Sequence, residues 1–555
     1  MADIAAKLEE ARLLFEGGKP DQARQKLLRL AQHAPRDPGV ASALSIVLTQ
    51  LGQHAQALFH ARRAAALLPE DLGVLVNLAN SLASQHLTDE AVSNYEQATR
   101  LFPGNTEPLV GLSTALRNLA RPAEAAAAMR AAIKLTPNDA ALLGQLAGLL
   151  NYLDIEPGEL FAAHRAYGDQ LAATISPEGR SFTNAPDPNR VLRIGILSHH
   201  FRRHSLAYFL EPILRHLDRS RAHVVCCSTT TAEDDVTARL KSLADVWLQV
   251  GNLDDAALFD HLREARLDIL IETSGLYEGI RLPALARGCA PVQLTYCGYP
   301  NTTGMSSIHG RIVDSVTDPA RSESLNTERL FRLDPCFLCY QPPAEAPPQT
   351  GVPPDHIAFC CFNNAAKLTD RVFATWAEIL TSVPESTLIL KATEFRHASV
   401  RQTIANRLAS RGIDAGRVRI LEQNPGMREH LAQYLQATVA LDPFPYCGTT
   451  TTCEALWMGV PVVTLEGATH RERVGSSLLR TVGLTDLIAR TPEDYIRTTI
   501  DLARDRARLG TLRSSLRDTV SRSPLCDGAA FAHRFETALR SMWRDWCART
   551  APSRA

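Results

Sequence analysis

Four consecutive threonines, Thr449 to Thr452, lie inside LDPFPYCGTTTTCEALWMGVPVVTL, residues 441–465. An apolar, partly β-branched run from Tyr434 to Asp442 precedes them and reads as a buried strand. Pro443, Pro445 and Gly448 make a turn, the body of a short helix is predicted at about Cys453 to Met458, and Val460 to Leu465 starts another strand. Strand, loop, helix and strand in this order bring a helix amino end beside a ligand in a parallel sheet. The threonines fall in the first turn, where unpaired N–H groups and hydroxyls converge and the helix dipole favours an anion. Glu454, one turn in, can accept hydrogen bonds from paired hydroxyls such as those of a ribose. A phosphate held by neutral donors and a diol held by a carboxylate make half of a nucleotide site. The same residues also fit a plainer role, in which the threonines cap a helix and Glu454 is a solvated carboxylate.

A departing diphosphate takes up negative charge, which a metal ion, a lysine or a helix amino end can meet. Lys367 stands in CFNNAAKLTD, after a strand-like run. The chain contains no Asp-x-Asp, and Asp234–Asp235 lies in a polar loop. A metal-free site using Lys367 and Thr450 to Thr452 is therefore the better reading. The plainer alternative is an exposed lysine at a helix start, after Ala365–Ala366. His199, His200 and His204 share a loop with Arg202 and Arg203. Taken alone, that loop reads as a solvent-facing basic cluster. Cys336-x-x-Cys339 followed by Cys360–Cys361 is a poor zinc pattern. The second pair lacks a spacer, and both lie in strand-like runs, Cys336 to Tyr340 and Ile357 to Phe362.

These groups need elements to position them. Arg190 to Ser198, Ala222 to Ser228, Leu267 to Glu272, Val292 to Tyr296 and Ile312 to Asp314 read as strands, with helical stretches such as Asp254 to Ala265 between them. That is a doubly wound α/β lobe, residues 190–340. Ligands bind at the carboxyl ends of its strands. There the loops carry His199, His200 and His204, then Thr273 to Gly275, then Cys297 to Ser307. Ile357 to Phe362, Thr387 to Lys391 and Val418 to Leu421 begin a second lobe, residues 355–545, which contains the threonine stretch. Ser176 to Asn189 and Ala344 to Pro354 are linkers.

Residues 1–175 read as a helical array with joining helices. Prolines at 35, 69, 103 and 137 repeat every 34 residues, the tetratricopeptide period. Leu44, Leu78, Leu112 and Leu146 share one register, and Ala23, Ala57, Ala91 and Ala125 another. Four full repeats are legible from 4 to 139, then a helix at Ala140 to Leu153 and a joining helix at Glu156 to Tyr167. Stacking is required, because no single helix pair buries its own apolar face. The concave face suits an extended peptide, with Asn77, Asn80 and Asn118 available to grip backbone. A packing or dimerisation module is the alternative, so an oligomer is possible.

With 59 Lys and Arg against 60 Asp and Glu, the net charge of −1 excludes an electrostatic case for nucleic acid. No apolar run is long enough for a membrane span, and the first thirty residues lack a signal-peptide core. Twelve scattered cysteines, including Cys226–Cys227 and Cys360–Cys361, read as buried free thiols in a reducing compartment. A cytoplasmic protein is expected.

The stretch DPFPYCGTTTTCEALWMGVPVVT resembles the signature of the O-linked N-acetylglucosamine transferase family, roughly D-x-x-P-x-N-G-x-T-T-x-x-D/E-A-L-W-x-G-V-P-V-V-T. Ser198, Phe201 and His204 match that family's S-x-D-F-x-x-H, with His200 in place of Asp. Gly298, Tyr299 and Pro300 match its L-G-Y-P-G-T-S-G, and FNNAAK matches F-N-N/Q-x-x-K. The final segment resembles its closing helix, which packs across both lobes, at Ala529 to Trp546. The resemblance implies repeats followed by a two-lobed GT-B glycosyltransferase with two Rossmann-like domains. It implies inverting transfer of N-acetylglucosamine from UDP-GlcNAc to protein Ser or Thr hydroxyls, with no cofactor beyond that donor. Lys367 would contact the diphosphate with help from Asn364. His430 would pack on the uracil ring, Thr449, Thr450, Thr451, Thr452 and Glu454 would hold UDP, and His204, Gly298 and Pro300 would face the sugar. His204 is the residue to test as the base, with a donor phosphate oxygen as its rival. Gly298 would let backbone approach the sugar.

Departures from the family are Cys447 for Asn, Thr449 for the His of animal members, Met427 for a lysine and Gln433 for an arginine. Asp268 stands where those members carry a strand histidine, and it does not inherit a catalytic role. Their large insert between the lobes has no counterpart of that size here, which points to a bacterial-type homologue. Another donor sugar, an asparagine acceptor, or a scaffold whose lobes bind UDP but transfer little remain open.

Overall fold

The structure is a computed structural model, and it describes residues 2–175, 181–277, 279–349, 356–421, 423 and 426–550. Parts of the two expected linkers, 176–180 and 350–354, lie outside the described residues. The chain forms two compact units, one of residues 1–142 with 394–403, the other of 143–393 with 404–555.

In the first unit the period of 34 becomes pairs of helices. Ala2–Glu16 pairs with Pro20–His33, Pro38–Gln50 with His54–Leu67, Leu72–Ser84 with Thr88–Leu101, and Thr106–Asn118 with Pro122–Leu135. Ala23, Ala57, Ala91 and Ala125 are fully buried, where only a small side chain lets helices approach. A further register sets the helix starts. The side chains of Asp37, Asp71 and Asn105 accept N–H groups of Val40, Val74 and Glu107, and Asp139 does the same for Ala141. Ser45 bonds Ser81 between repeats at 2.9 Å. Two of the three asparagines expected to grip a peptide are engaged internally. Asn77 donates to Ser42 Oγ, and Asn80 accepts from Tyr95.

The joining helix, Pro157–Ala173, belongs to the second unit rather than to the array. Its Gly168 lies against the Gly304 carbonyl so closely that a Cβ would stand 1.8 Å away. His164 Nε2 is 2.6 Å from the Tyr299 hydroxyl. Backbone contact and a buried bond fix it to the lobe.

Two parallel sheets build that unit. The first comprises β1 (Leu192–Ser198), β2 (Ala222–Ser228), β3 (Val246–Gln249), β4 (Ile269–Glu272), β5 (Val292–Tyr296), β6 (Gly310–Val313) and β7 (Arg329–Arg332), in the order β3-β2-β1-β4-β5-β6-β7. The second comprises β8 (Ala358–Cys361), β9 (Thr387–Leu390), β10 (Val418–Ile420), β11 (Val439–Leu441), β12 (Val462–Leu465) and β13 (Ile488–Ala489), in the order β10-β9-β8-β11-β12-β13. Apolar β-branched runs buried on both faces produce the central strands. The strand order reverses between β1 and β4 and again between β8 and β11, which puts a crevice at the carboxyl ends of those four strands.

Two expected strands differ. Cys336 to Tyr340 is buried but irregular: the Phe337 N–H goes to Asp314 and the Tyr340 N–H to Leu525 O, so no ladder is available. The segment from Tyr434 to Asp442 opens within a 3-10 turn, Gln433–Gln436, and its apolar end forms the expected buried strand, β11. The closing helix, Gly528–Thr550, packs on the first lobe. Arg540 donates to the Arg190 and Arg221 carbonyls, and Trp543 Nε1 to that of Asp187.

The lobes are joined by buried polar contacts. His470 Nδ1 is 2.5 Å from Asp318 Oδ2, and Ser477 Oγ donates to Asp314 at 2.6 Å. Arg471, almost fully buried, instead ties the second lobe to the end of the helix Ala140–Leu150, donating to the carbonyls of Leu150 and Asn151. Burial without partners would be costly for these groups, so the pairs fix the separation of the two sheets.

Candidate active site

The crevice between the lobes is a cavity of about 520 Å³. Each reversal point feeds it. From the loop after β1 come His200 and His204; from the loop after β5, Gly298 and Pro300; from the loop after β8, Asn363, Asn364 and Lys367; from the loop after β11, Tyr446 and Thr449 to Thr451. Its described lining holds one ammonium and no carboxylate. Such a wall suits an anion.

Lys367 ends a 3-10 turn, Ala365–Lys367, whose start is capped by Asn364 accepting the Ala366 N–H at 2.8 Å. Its Nζ donates to the Cys447 carbonyl at 2.9 Å and to Asn363 Oδ1 at 3.3 Å, and lies 4.0 Å from the centre of the Tyr446 ring. An ammonium has three donors, so one remains for a ligand. Burial draws the Lys367 pKa below the ordinary lysine value. The plainer alternative, an exposed lysine at a helix start, is therefore not what folds.

Asn363 is the residue that the sequence reading missed. Its Oδ1 also accepts from Thr451 Oγ1 at 3.1 Å, so a single amide ties the lysine to the threonine helix. The FNN doublet was the available signal. Asn364, the residue expected to assist, lines the cavity but uses its side-chain oxygen for capping.

The helix Thr450–Trp457 starts from Thr449, and Thr449, Thr450 and Thr451 face the cavity. Thr452 is buried beneath them. Gly448 is required, because a Cβ there would meet Thr451 Oγ1 at 2.5 Å and Asp442 Oδ1 at 3.0 Å. Asp442, at the end of β11, accepts from Gly448 N–H and from Thr464. Burial raises its pKa to about 6. Cys447 points away from the cavity, with its Sγ against the Arg471 carbonyl at 2.9 Å. Its departure from the family pattern thus changes loop packing, not the lining.

Glu454 is buried, 5 % exposed, not a solvated carboxylate. Its Oε2 accepts from Tyr434 OH at 3.2 Å and lies 3.0 Å from His430 Nε2. Glu454 lies on the threonine helix and His430 is bonded to it from the helix Met427–Ala432, but neither is among the cavity's lining residues.

On the first lobe, His204 stacks on His200 with ring centres 3.9 Å apart. Burial, with His200, Arg202 and His199 nearby, pulls its pKa down to about 3. His204 Nδ1 accepts the Leu206 N–H at 3.2 Å. That leaves a hydrogen on Nε2, so the ring offers the cavity a donor and not a lone pair. This geometry weighs against the expected test of His204 as a base. The basic cluster also dissolves: Arg203 pairs with Asp235 at 2.6 Å.

Gly298 borders the cavity, and its missing side chain is also required by packing within the lobe. A Cβ would stand 1.7 Å from the Thr273 carbonyl, so backbone packing between the β4 and β5 loops demands glycine. Asp268 precedes β4, at the opposite end of the sheet from the crevice, and accepts from Arg193 N–H and Asn184. It is structural. Among the described residues no group of three or more His, Cys, Asp or Glu could hold a metal ion, and all the cysteines there are free thiols. No described helix is long and apolar enough to cross a membrane.

Two parallel α/β lobes around an anion-suited cleft, following tetratricopeptide repeats, define a repeat-bearing glycosyltransferase of the GT-B architecture. The chain belongs to Glycosyl transferase family 41, whose profile matches residues 174–340 and 344–535. A tetratricopeptide profile matches residues 76–140. The probable UDP-N-acetylglucosamine–peptide N-acetylglucosaminyltransferase SPINDLY of Arabidopsis thaliana is 40% identical over 71% of this chain. SEC, a protein of the same plant named for the same probable activity, is 28% identical over 65% of the chain. The chain spans less than half, 44%, of the SPINDLY protein. The solved structure of an O-GlcNAc transferase mutant from Thermobaculum terrenum superposes with a TM-score of 0.79, at 33% identity and 99% coverage of both chains.

Proposed function

We propose that this chain is an inverting glycosyltransferase that moves N-acetylglucosamine from UDP-GlcNAc to a Ser or Thr hydroxyl of a protein. The observation that carries the reading is Lys367, held by Asn363 and the Cys447 carbonyl beside the threonine helix, with one donor left over. An anion seated there meets an ammonium and a helix amino end together, and these take up charge as the diphosphate leaves. The donor assignment is also supported by the activities for which the relatives are named.

In the proposed reaction the acceptor oxygen bonds the anomeric carbon from the face opposite the diphosphate, whose bond to that carbon breaks. The configuration inverts. The acceptor's proton passes to a phosphate oxygen of the donor, and His204 donates through Nε2 to the sugar or the acceptor. Metal independence is supported by the carboxylate-free lining. The acceptor peptide is assigned to the repeat array, whose paired helices leave a surface for extended chain.

The test is incubation with UDP-GlcNAc and a peptide library in EDTA, read by mass spectrometry. Addition of one N-acetylhexosamine to Ser- or Thr-containing peptides, lost in Lys367→Ala, is expected. Hydrolysis or transfer that needs a divalent cation would overturn the mechanism. Absence of any product with a well-folded enzyme would overturn the donor.

A further inference from the structure

Lys391 follows β9 directly and is almost fully buried, 2 % exposed. A buried lysine needs a reason. Its Nζ lies 2.7 Å from His430 Nδ1. On the other side of the ring, His430 Nε2 lies 3.0 Å from Glu454 Oε2, which also accepts from Tyr434 OH. The result is a chain of four side chains drawn from β9, the helix Met427–Ala432, the turn Gln433–Gln436 and the threonine helix Thr450–Trp457.

Direction in this chain follows from the chemistry of its ends. An ammonium has only hydrogens to give, so His430 Nδ1 must be the acceptor. A carboxylate has only lone pairs, so Nε2 must carry the hydrogen. Both ends select the same tautomer, and both ring nitrogens are occupied. Only the face of the imidazole is left for a ligand. Phe362 and Tyr434 hold the ring by its edges and sides, with centres 6.4 Å and 5.9 Å away.

We infer that Lys391 is a positioning residue for the nucleotide end of the site: it locks His430 as the Nε2–H tautomer against Glu454, so that the ring presents its face to the donor. The inference rests on the donor reading above only for its consequence on binding, not for the tautomer. The lysine supplies from β9 a cation that the helix Met427–Ala432 does not: Met427 is apolar, and Arg428 is exposed. Burial lowers the Lys391 pKa to about 8, which leaves the ammonium form in place at neutral pH.

The test has two arms, both on the full chain. In the first, the protein is labelled with ¹⁵N-histidine and the His430 signal is assigned by its loss in His430→Gln. The free wild type should show an unprotonated Nδ1 and a protonated Nε2. Lys391→Met, which keeps the aliphatic stem, should move both nitrogen shifts, and Lys391→Gln, which restores an N–H donor, should return them part of the way. Identical His430 shifts in wild type and Lys391→Met would overturn the inference, whatever the protein binds.

In the second arm, calorimetry with UDP should show affinity weakened about tenfold in Lys391→Met, the scale of a lost charge-assisted hydrogen bond. Turnover at saturating donor should stay within about twofold, because the interaction is shared by ground and transition states. A fall in turnover with unchanged UDP affinity would overturn the positioning role. A wild type that binds no UDP would fault the donor reading instead, and the imidazole shifts would still decide for or against Lys391.

Discussion

The two lobes use one topology for opposite chemistry. Both reverse strand order once, and both deliver side chains from loops at the carboxyl ends of the strands there, the first lobe also from the loop after its next strand, β5. In the second lobe those loops are tied together: Lys367, Asn363, Thr451 and the Cys447 carbonyl form one bonded group around a charge. In the first lobe they deliver neutral rings and backbone, with His204 stacked on His200 and Gly298 packed on the Thr273 carbonyl. A charged leaving group needs preorganised charge, whereas a sugar and a hydroxyl acceptor need shape and single hydrogen bonds. The asymmetry is what the proposed reaction needs, with the leaving group on the second lobe.

The contrast can be broken most severely at Lys367. Lys367→Ala should cut turnover by about a hundredfold or more, the cost of losing a main charge stabiliser, with thermal unfolding close to wild type. Asn363→Ala tests whether the charge must be held as well as present. It frees both the ammonium and Thr451, and turnover should fall about tenfold, since each bond lost involves a charged or buried partner. Equal activity in Asn363→Ala and wild type would mean that the cluster is incidental. Glu454→Ala removes a buried acceptor shared by His430 and Tyr434, and UDP affinity should drop by roughly tenfold. A steady-state comparison should show the loss in KM and not in kcat.

A subtler distinction is in pH. With a pKa of about 3, His204 is neutral across the working range, so no limb of the rate profile between roughly pH 5 and 8 belongs to it. His204→Gln, which keeps an N–H donor, should leave the shape of the profile unchanged. On the second lobe, Asp442 has a pKa raised to about 6 by burial. Its native form therefore holds a proton that the unfolded chain gives up near pH 4. Its contribution to stability is complete below that value and is lost as pH rises through about 6. Asp442→Asn should remove that part of the pH dependence in denaturant titrations. The smallest effect expected is for Cys447→Ser, which should leave UDP affinity unchanged because the thiol faces the Arg471 carbonyl.

Legibility in the sequence differed between the same regions. The central strands were readable because they are apolar runs buried on both faces. Of the edge strands, β10 was read from its β-branched run, whereas β3, β7 and β13 were not, because they are short and partly exposed and show no such run. The repeat period was plain in its prolines and alanines, while the capping register at Asp37, Asp71, Asn105 and Asp139 lay unused in the same 34-residue spacing. At the site, Lys367 and the threonines stood out by type and setting. Choosing Asn363 over Asn364 required the turn Ala365–Lys367, which takes the Asn364 side chain as its cap and leaves that of Asn363 for Lys367 and Thr451. Lys391 ends a strand, where a lysine ordinarily reaches solvent, and only the fold shows it closed over by His430. The packing that demands glycine at 298 was not readable, because the carbonyl it accommodates, that of Thr273, comes from another loop.

The most direct measurement is calorimetric titration of UDP and UDP-GlcNAc in EDTA, on wild type and on Lys367→Ala. Binding of both ligands without metal, weakened by loss of the lysine, is the predicted result. A wild type that binds neither ligand, or a variant that binds both as tightly as wild type, would contradict the assignment of the second lobe as the seat of the leaving group.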